Sequence, residues 1–160
     1  MSQQSGIDPK ATWRELGGKY LTFVLGSEEE YGIPIRHVQE IIGLLPITTV
    51  PGAPSDVLGV INLRGKIVPI TDLRQKFGIA AGPESSQACI IVVSAHGMST
   101  GIIADRVREV IEIKGDTIEP PPSFGADVEV AHILGIATTS TRARILLDIE
   151  RALPESSRAA

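Results

Sequence analysis

Hydrophobic and polar positions alternate through most of this chain, and the alternation predicts strands rather than helices. Residues 20–25 place Leu21, Phe23 and Leu25 on one face, the pattern of a half-buried strand. An acidic turn follows at 26–30. Residues 31–35 then predict the returning strand, with Pro34 marking either a sheet edge or the strand's end. Residues 38–45 form an extended apolar run, with a helical turn at Arg36-His37 as the alternative, and the prolines at 46, 51 and 54 break it. Val57–Leu63, Arg64-Gly65 and residues 66–70 read together as a β-hairpin. Asp72 suits the N-cap of a short helix over Leu73–Phe77, stopped by Gly78. Residues 80–87 have the composition of a linker. A second series then follows: a strand at 89–94, a turn at His96-Gly97, strands at 100–105 and 107–113, and a turn at 114–116. Residues 119–124 are a stiff extended loop in which prolines prevent pairing. Strands at 131–137 and 143–149 and a helical turn at 150–153 close the chain.

The two series repeat each other. Gly32-Ile33 precedes Val38, Glu40 and Ile41-Ile42, and Gly101-Ile102 precedes Val107, Glu109 and Val110-Ile111 at the same spacings. Further on, Leu58-Gly59-Val60 precedes Thr71-Asp72-Leu73, and Leu134-Gly135-Ile136 precedes Leu147-Asp148-Ile149, with Gly and Asp 13 positions apart each time. Two ordered blocks with equal internal spacing imply one β-rich unit duplicated within the chain. The expected fold is therefore all-β: two small barrels packed side by side, with one or two short helices. Residues 1–17 are expected to be a mobile tail, in which Trp13 anchors to the domain's own surface, and 154–160 a frayed one. The ordered domain is expected over 18–153, with a first lobe at about 18–80 and a second at about 88–150, strands being open to exchange between them.

Composition narrows the function. Isoleucine and valine supply 33 of 160 residues, which reinforces the strand reading. Net charge is −4, the 15 basic residues are scattered, and aromatic residues are 4%, so a nucleic-acid surface is disfavoured. The lone Cys89 reads as a small buried hydrophobe, compatible with a reducing compartment. The polar N-terminus does not read as a signal peptide, and no apolar run approaches the length of about 20 residues needed to span a membrane. A soluble cytoplasmic protein is the expectation.

Catalytic patterns are missing. His37, His96 and His132 lie in separate segments and, with a single Cys, form no zinc-ligand spacing. Gly17-Gly18-Lys19 lacks the upstream glycine of a phosphate loop and is followed by Tyr20. Glu40 and Glu109 are paired by the repeat, as duplication requires, rather than as an acid–base couple. No cofactor, metal or enzyme activity is expected.

One segment lies outside the duplication. Ile61-Asn62-Leu63-Arg64-Gly65 faces Ala137-Thr138-Thr139-Ser140-Thr141 in the second half, and Asn62 is the chain's single asparagine. Taken alone, Asn62 and Gly65 read as turn residues tolerant of positive φ, and Arg64 as a solvated charge at a hairpin tip. The whole run 57–73 resembles the signature of the CheW family of chemotaxis coupling proteins. Phe23-Val24-Leu25-Gly26, Tyr31-Gly32-Ile33 and Val38-Gln39-Glu40-Ile41 resemble that family's opening strands, and Gly101-Ile102-Ile103-Ala104-Asp105 its second-half block.

The resemblance covers residues 19–153 and implies intertwined SH3-like barrels with an apolar interface. It also implies a non-enzymatic adaptor between methyl-accepting chemotaxis receptors, at their cytoplasmic tips, and the regulatory domain of a CheA-type histidine kinase. On it, Val38, Glu40, Asn62 and Arg64 are the receptor-binding set. Asn62 and Gly65 would shape the turn that presents Arg64, and the protein would be cytoplasmic and associated with receptor arrays. The second lobe would engage kinase domains. Phe124 is read as an exposed aromatic contact, against the alternative of a side chain folded back on its own barrel. The competing readings are a CheW-like scaffold of a non-flagellar system and, from another class, a small β-barrel nucleic-acid binder.

Overall fold

Tyr20 and Leu21 point to opposite sides of one strand, and both are buried. That observation organises the molecule. The computed structural model describes residues 16–26, 29–80, 82, 85–121, 132–139 and 142–153. In chain order the strands are β1 (Gly18–Leu25), β2 (Glu29–Pro34), β3 (Val38–Gly43), β4 (Val57–Leu63), β5 (Lys66–Thr71), β6 (Cys89–Ala95), β7 (Met98–Ala104), β8 (Arg106–Ile113), β9 (Ile118–Glu119), β10 (Ile133–Thr139) and β11 (Arg142–Leu147). Two short helices, α1 (Leu73–Phe77) and α2 (Ile149–Ala152), follow β5 and β11, and 3-10 turns occupy Ile35–His37 and Gly115–Thr117.

The strands form two sheets that pack together. Sheet A has the order β8-β1-β2-β11-β10-β9 and sheet B the order β3-β6-β7-β5-β4. Neither sheet follows one half of the chain. The β1–β2 hairpin pairs with β8 and β11, and the β6–β7 hairpin pairs with β3 and β5. Each repeat thus lends its first hairpin to the other repeat's remaining strands. The parallel contacts match as well: Ile70 beside Gly101 in sheet B, and Leu146 beside Gly32 in sheet A. A Cβ on Gly101 would lie 2.5 Å from Ile70 Cδ1, and one on Gly32 3.0 Å from Leu146 Cδ2, which accounts for the glycine the two blocks share.

Three apolar clusters result. Leu21, Phe23, Leu25 and Ile33 of sheet A meet Ile91, Val93 and Ile102 of sheet B in a core shared between the sheets. Tyr20, Ile113, Ile118, Ala137 and Leu146 fill sheet A's own interior, and Ile61, Val68, Ile70, Ile90 and Val92 fill that of sheet B. β1 is therefore buried on both faces, not half-buried as its alternation suggests, because its two faces line two different cores. For Pro34 the structure selects the second of the two alternatives: β2 lies between β1 and β11, so the proline marks the strand's end and not a sheet edge. Cys89 is half-buried against the shared core, and burial pushes its thiol up.

The capping aspartates behave as a repeated device. Asp72 accepts a hydrogen bond from the Arg74 amide at 3.0 Å at the start of α1, and Asp148 accepts one from the Arg151 amide at 3.3 Å at the start of α2.

Both tyrosines of the chain sit in these cores. Burial raises Tyr20, opposed by the charge of Arg36, and Tyr20 donates to the Leu16 carbonyl at 2.6 Å. Burial, assisted by Glu29, pushes Tyr31 up to about 12. Each neutral phenol is favoured in the folded state. For Tyr31 the associated stability is complete below pH 10, the unfolded value, and is lost as pH climbs through about 12. Spectrophotometric titration of the folded protein is expected to show little tyrosinate at pH 10, where a free phenol is half ionised. A normal midpoint with the fold still intact would contradict this burial.

Candidate partner-binding site

The unrepeated segment forms the tip of the β4–β5 hairpin. Leu63 pairs with Lys66, which leaves Arg64 and Gly65 as a two-residue turn, with φ of 53° and 87°. Positive φ at both central positions is the type I′ hairpin signature, matched to the twist of the flanking strands. The strained backbone thus falls on Arg64 and Gly65. Asn62 remains in β4 and works through its side chain, its Oδ1 accepting from the Gly65 amide at 2.8 Å. Asn62→Ala is expected to cost about 0.5–1 kcal/mol, the ordinary worth of one hydrogen bond. It should also speed hydrogen exchange at the Gly65 amide; unchanged exchange there would show that the side chain does not hold the turn.

Arg64 forms an ion pair with Glu40 of β3. β3 and β4 are opposite edges of sheet B, so this contact requires the sheet to curl until its edges meet. The backbone records the same closure: Thr48 and Val60 exchange hydrogen bonds of 2.8 and 2.9 Å. The Arg64 side chain remains 68% exposed, with most of its guanidinium donors still available to a partner.

A polar chain runs beside this pair. Lys66 Nζ donates to Ser99 Oγ at 3.2 Å, and Ser99 donates to Gln39 Oε1 at 2.9 Å, linking β5, β7 and β3. Gln39 is the extra residue of a β-bulge, since Val38 faces Val93 while Glu40 faces Val92. Ile67 and Met98, next in sequence to Lys66 and Ser99, and Ile41, next to Glu40, are large, apolar and exposed. Sequence reading missed them. Ile67 lies in the unbroken run 67–70, where the pattern does not say which face is outward. An apolar hollow of about 260 Å³ adjoins β4 and β5, lined by Val50, Pro54, Val57, Val60 and Pro69 among others.

The structure therefore brings Glu40, Asn62, Arg64 and Gly65 together. Val38 instead packs half-buried against the core shared by the sheets. Phe124 and Trp13 lie outside the described residues. Glu40 and Glu109 stand on different sheets and do not converge on one site. Among the described residues no three His, Cys, Asp or Glu side chains are grouped to hold a metal, and no helix is long and apolar enough to cross a membrane.

Known proteins are similar over nearly the whole chain. Residues 19–157 match the CheW-like domain family. The chain is 37% identical to the chemotaxis protein CheW of Klebsiella aerogenes across 90% of its own length and 86% of that protein. It is 31% identical to CheW of Rhizobium meliloti, across 90% and 93% of the two chains. Protein FrzA of Myxococcus xanthus is 28% identical over 68% of each. Among solved structures, the scaffolding protein TtCheW of Thermoanaerobacter tengcongensis superposes with a TM-score of 0.79 at 37% identity, covering 87% of this chain and 89% of its own.

Proposed function

The chain belongs to the CheW-like domain family, a family of non-enzymatic chemotaxis adaptors that couple receptors to the kinase CheA, and from that premise we propose that the Arg64 hairpin is its receptor-contact point. The observation that carries the reading is the ion pair itself. Arg64 is held by Glu40, on a turn shaped by Asn62, yet remains largely solvent-facing. A pre-positioned guanidinium loses little freedom on binding and makes directional bonds to a carboxylate or carbonyl. Ile41 and Ile67 supply apolar area nearby, the combination that accepts one face of an amphipathic helix.

On this reading the occupant is the cytoplasmic tip of a methyl-accepting receptor, and the kinase's regulatory domain binds elsewhere on the two-sheet body. The protein then resides in the cytoplasm at membrane receptor arrays. An adaptor of this kind transmits state by binding alternative partner conformations unequally, without chemistry of its own. The alternative reading is a CheW-like scaffold of a chemosensory system that does not drive flagella, with which the likeness to FrzA is compatible.

The test is co-sedimentation of the tagged protein with membranes from its own organism, followed by identification of retained partners. Retention of receptors and a CheA-type kinase is expected. Recovery of neither, from a lysate containing both, overturns the proposal.

A further inference from the structure

The polar chain beside the hairpin has a counterpart in sheet A. Under the repeat's own offsets, Gln39 corresponds to Arg108, Ser99 to Glu30 and Lys66 to Arg142. Strand pairing supports the equivalence. The parallel contacts coincide, and Arg108 is again the extra residue of a bulge, because Val107 faces Phe23 while Glu109 faces Thr22. A bulge re-aims its side chain out of the regular alternation, here at matching places in both sheets.

In sheet A these positions are ionic. Glu30 is buried, and three guanidinium groups converge on it: Arg144 Nε at 2.5 Å, Arg108 Nε at 3.1 Å and Arg142 Nη1 at 3.6 Å. Arg144 lies inside, whereas Arg108 and Arg142 reach solvent with side chains 38% and 57% exposed. A concavity of about 360 Å³ opens beside Arg142, lined by Glu29, Glu30, Arg142 and Ala143. Among the described residues, three guanidinium groups here face two carboxylates, Glu29 and Glu30. Arg144 makes the shortest contact with Glu30, and Arg108 and Arg142 pair with the same carboxylate while keeping solvent-facing area.

We propose that this cluster is a second docking site, on the other sheet from the hairpin, which takes an acidic side chain of a partner protein between Arg108 and Arg142. Guanidinium groups suit a carboxylate because both are planar and pair through two parallel bonds. The chain carries a net charge of −4, so a local cationic site orients an acidic partner that the rest of the surface repels. The inference goes beyond the receptor reading and does not depend on Arg64.

The test uses the intact protein, with its arginine Nε–Hε signals followed by NMR during titration with hexaglutamate at constant ionic strength and hexaglutamine as control. Saturable shifts at Arg108 and Arg142, with Arg74 unmoved, are expected. Arg142→Gln, at an exposed position, should weaken binding about tenfold without lowering the melting temperature. Arg108→Gln installs the residue the first repeat carries at its bulge and should act in the same direction. Failure to saturate, undiminished affinity in Arg142→Gln, or equal shifts from inorganic phosphate would each overturn the proposal, the last by revealing a general anion site.

Discussion

Arg64→Ala is expected to leave the protein folded while receptor retention in membrane co-sedimentation falls about ten- to a hundred-fold. That range corresponds to losing charge-assisted hydrogen bonds worth about 1.5–3 kcal/mol. The folding cost is expected to be small. The Arg64–Glu40 pair is largely solvent-exposed, and pairs of that kind contribute about 0–1 kcal/mol. Stability and coupling should therefore separate, with thermal melting near wild type and association lost. A charge swap distinguishes a partner contact from an internal brace. Combining Arg64→Glu with Glu40→Arg preserves an ion pair but removes the guanidinium from the turn. Coupling should remain lost in the swap, and its full recovery would make the pair purely structural.

Gly59→Ala is expected to be the most destabilising single-methyl addition in sheet B. Gly59 has φ of 150°, and a Cβ there would lie 2.1 Å from the Thr48 carbonyl oxygen and 2.8 Å from its carbon. Those are backbone atoms in the bridge that closes the sheet, and they have no rotamer through which to move aside. The substitution must open the Thr48–Val60 bridge or shift β4, with a cost of at least about 3 kcal/mol, the upper end of the usual range. In a chain of this size that lowers the melting temperature by roughly 6–12 °C. Gly43→Ala is the control, since nothing lies within 4 Å of its added Cβ; it is expected to stay within about 0.5 kcal/mol of wild type. Equal melting of the two variants would remove Gly59 from the closure. Because the closure brings Glu40 to Arg64, Gly59→Ala should also weaken receptor retention, this time together with stability.

Much of the fold was legible from local chemistry. The β4–β5 hairpin, the helix started by Asp72 and stopped by Gly78, the turn at His96-Gly97 and the duplicated blocks are all local signals. Each depends on the conformational preferences of a few neighbouring residues, and the structure contains them. The prominence of residues 61–65 was likewise visible, because a duplicated chain exposes whatever it has not duplicated.

Strand partnership was not legible. β3 and β8 come from equivalent blocks with similar apolar patterns, so either satisfies the edge of either hairpin. Burial of both faces of β1 and β6, which only three dimensions can arrange, selects the exchanged pairing. The same limit hid Ile41 and Ile67 as exposed surface and Arg108 and Arg142 as one cluster with Glu30.

By itself, then, the sequence determined the local elements, the duplication, the segment that departs from it and the family. Tertiary structure alone decided which strands meet, and so which distant side chains share a surface. Local preference acts over a few residues, whereas pairing and closure are set by the burial of surfaces that the chain brings together from both repeats.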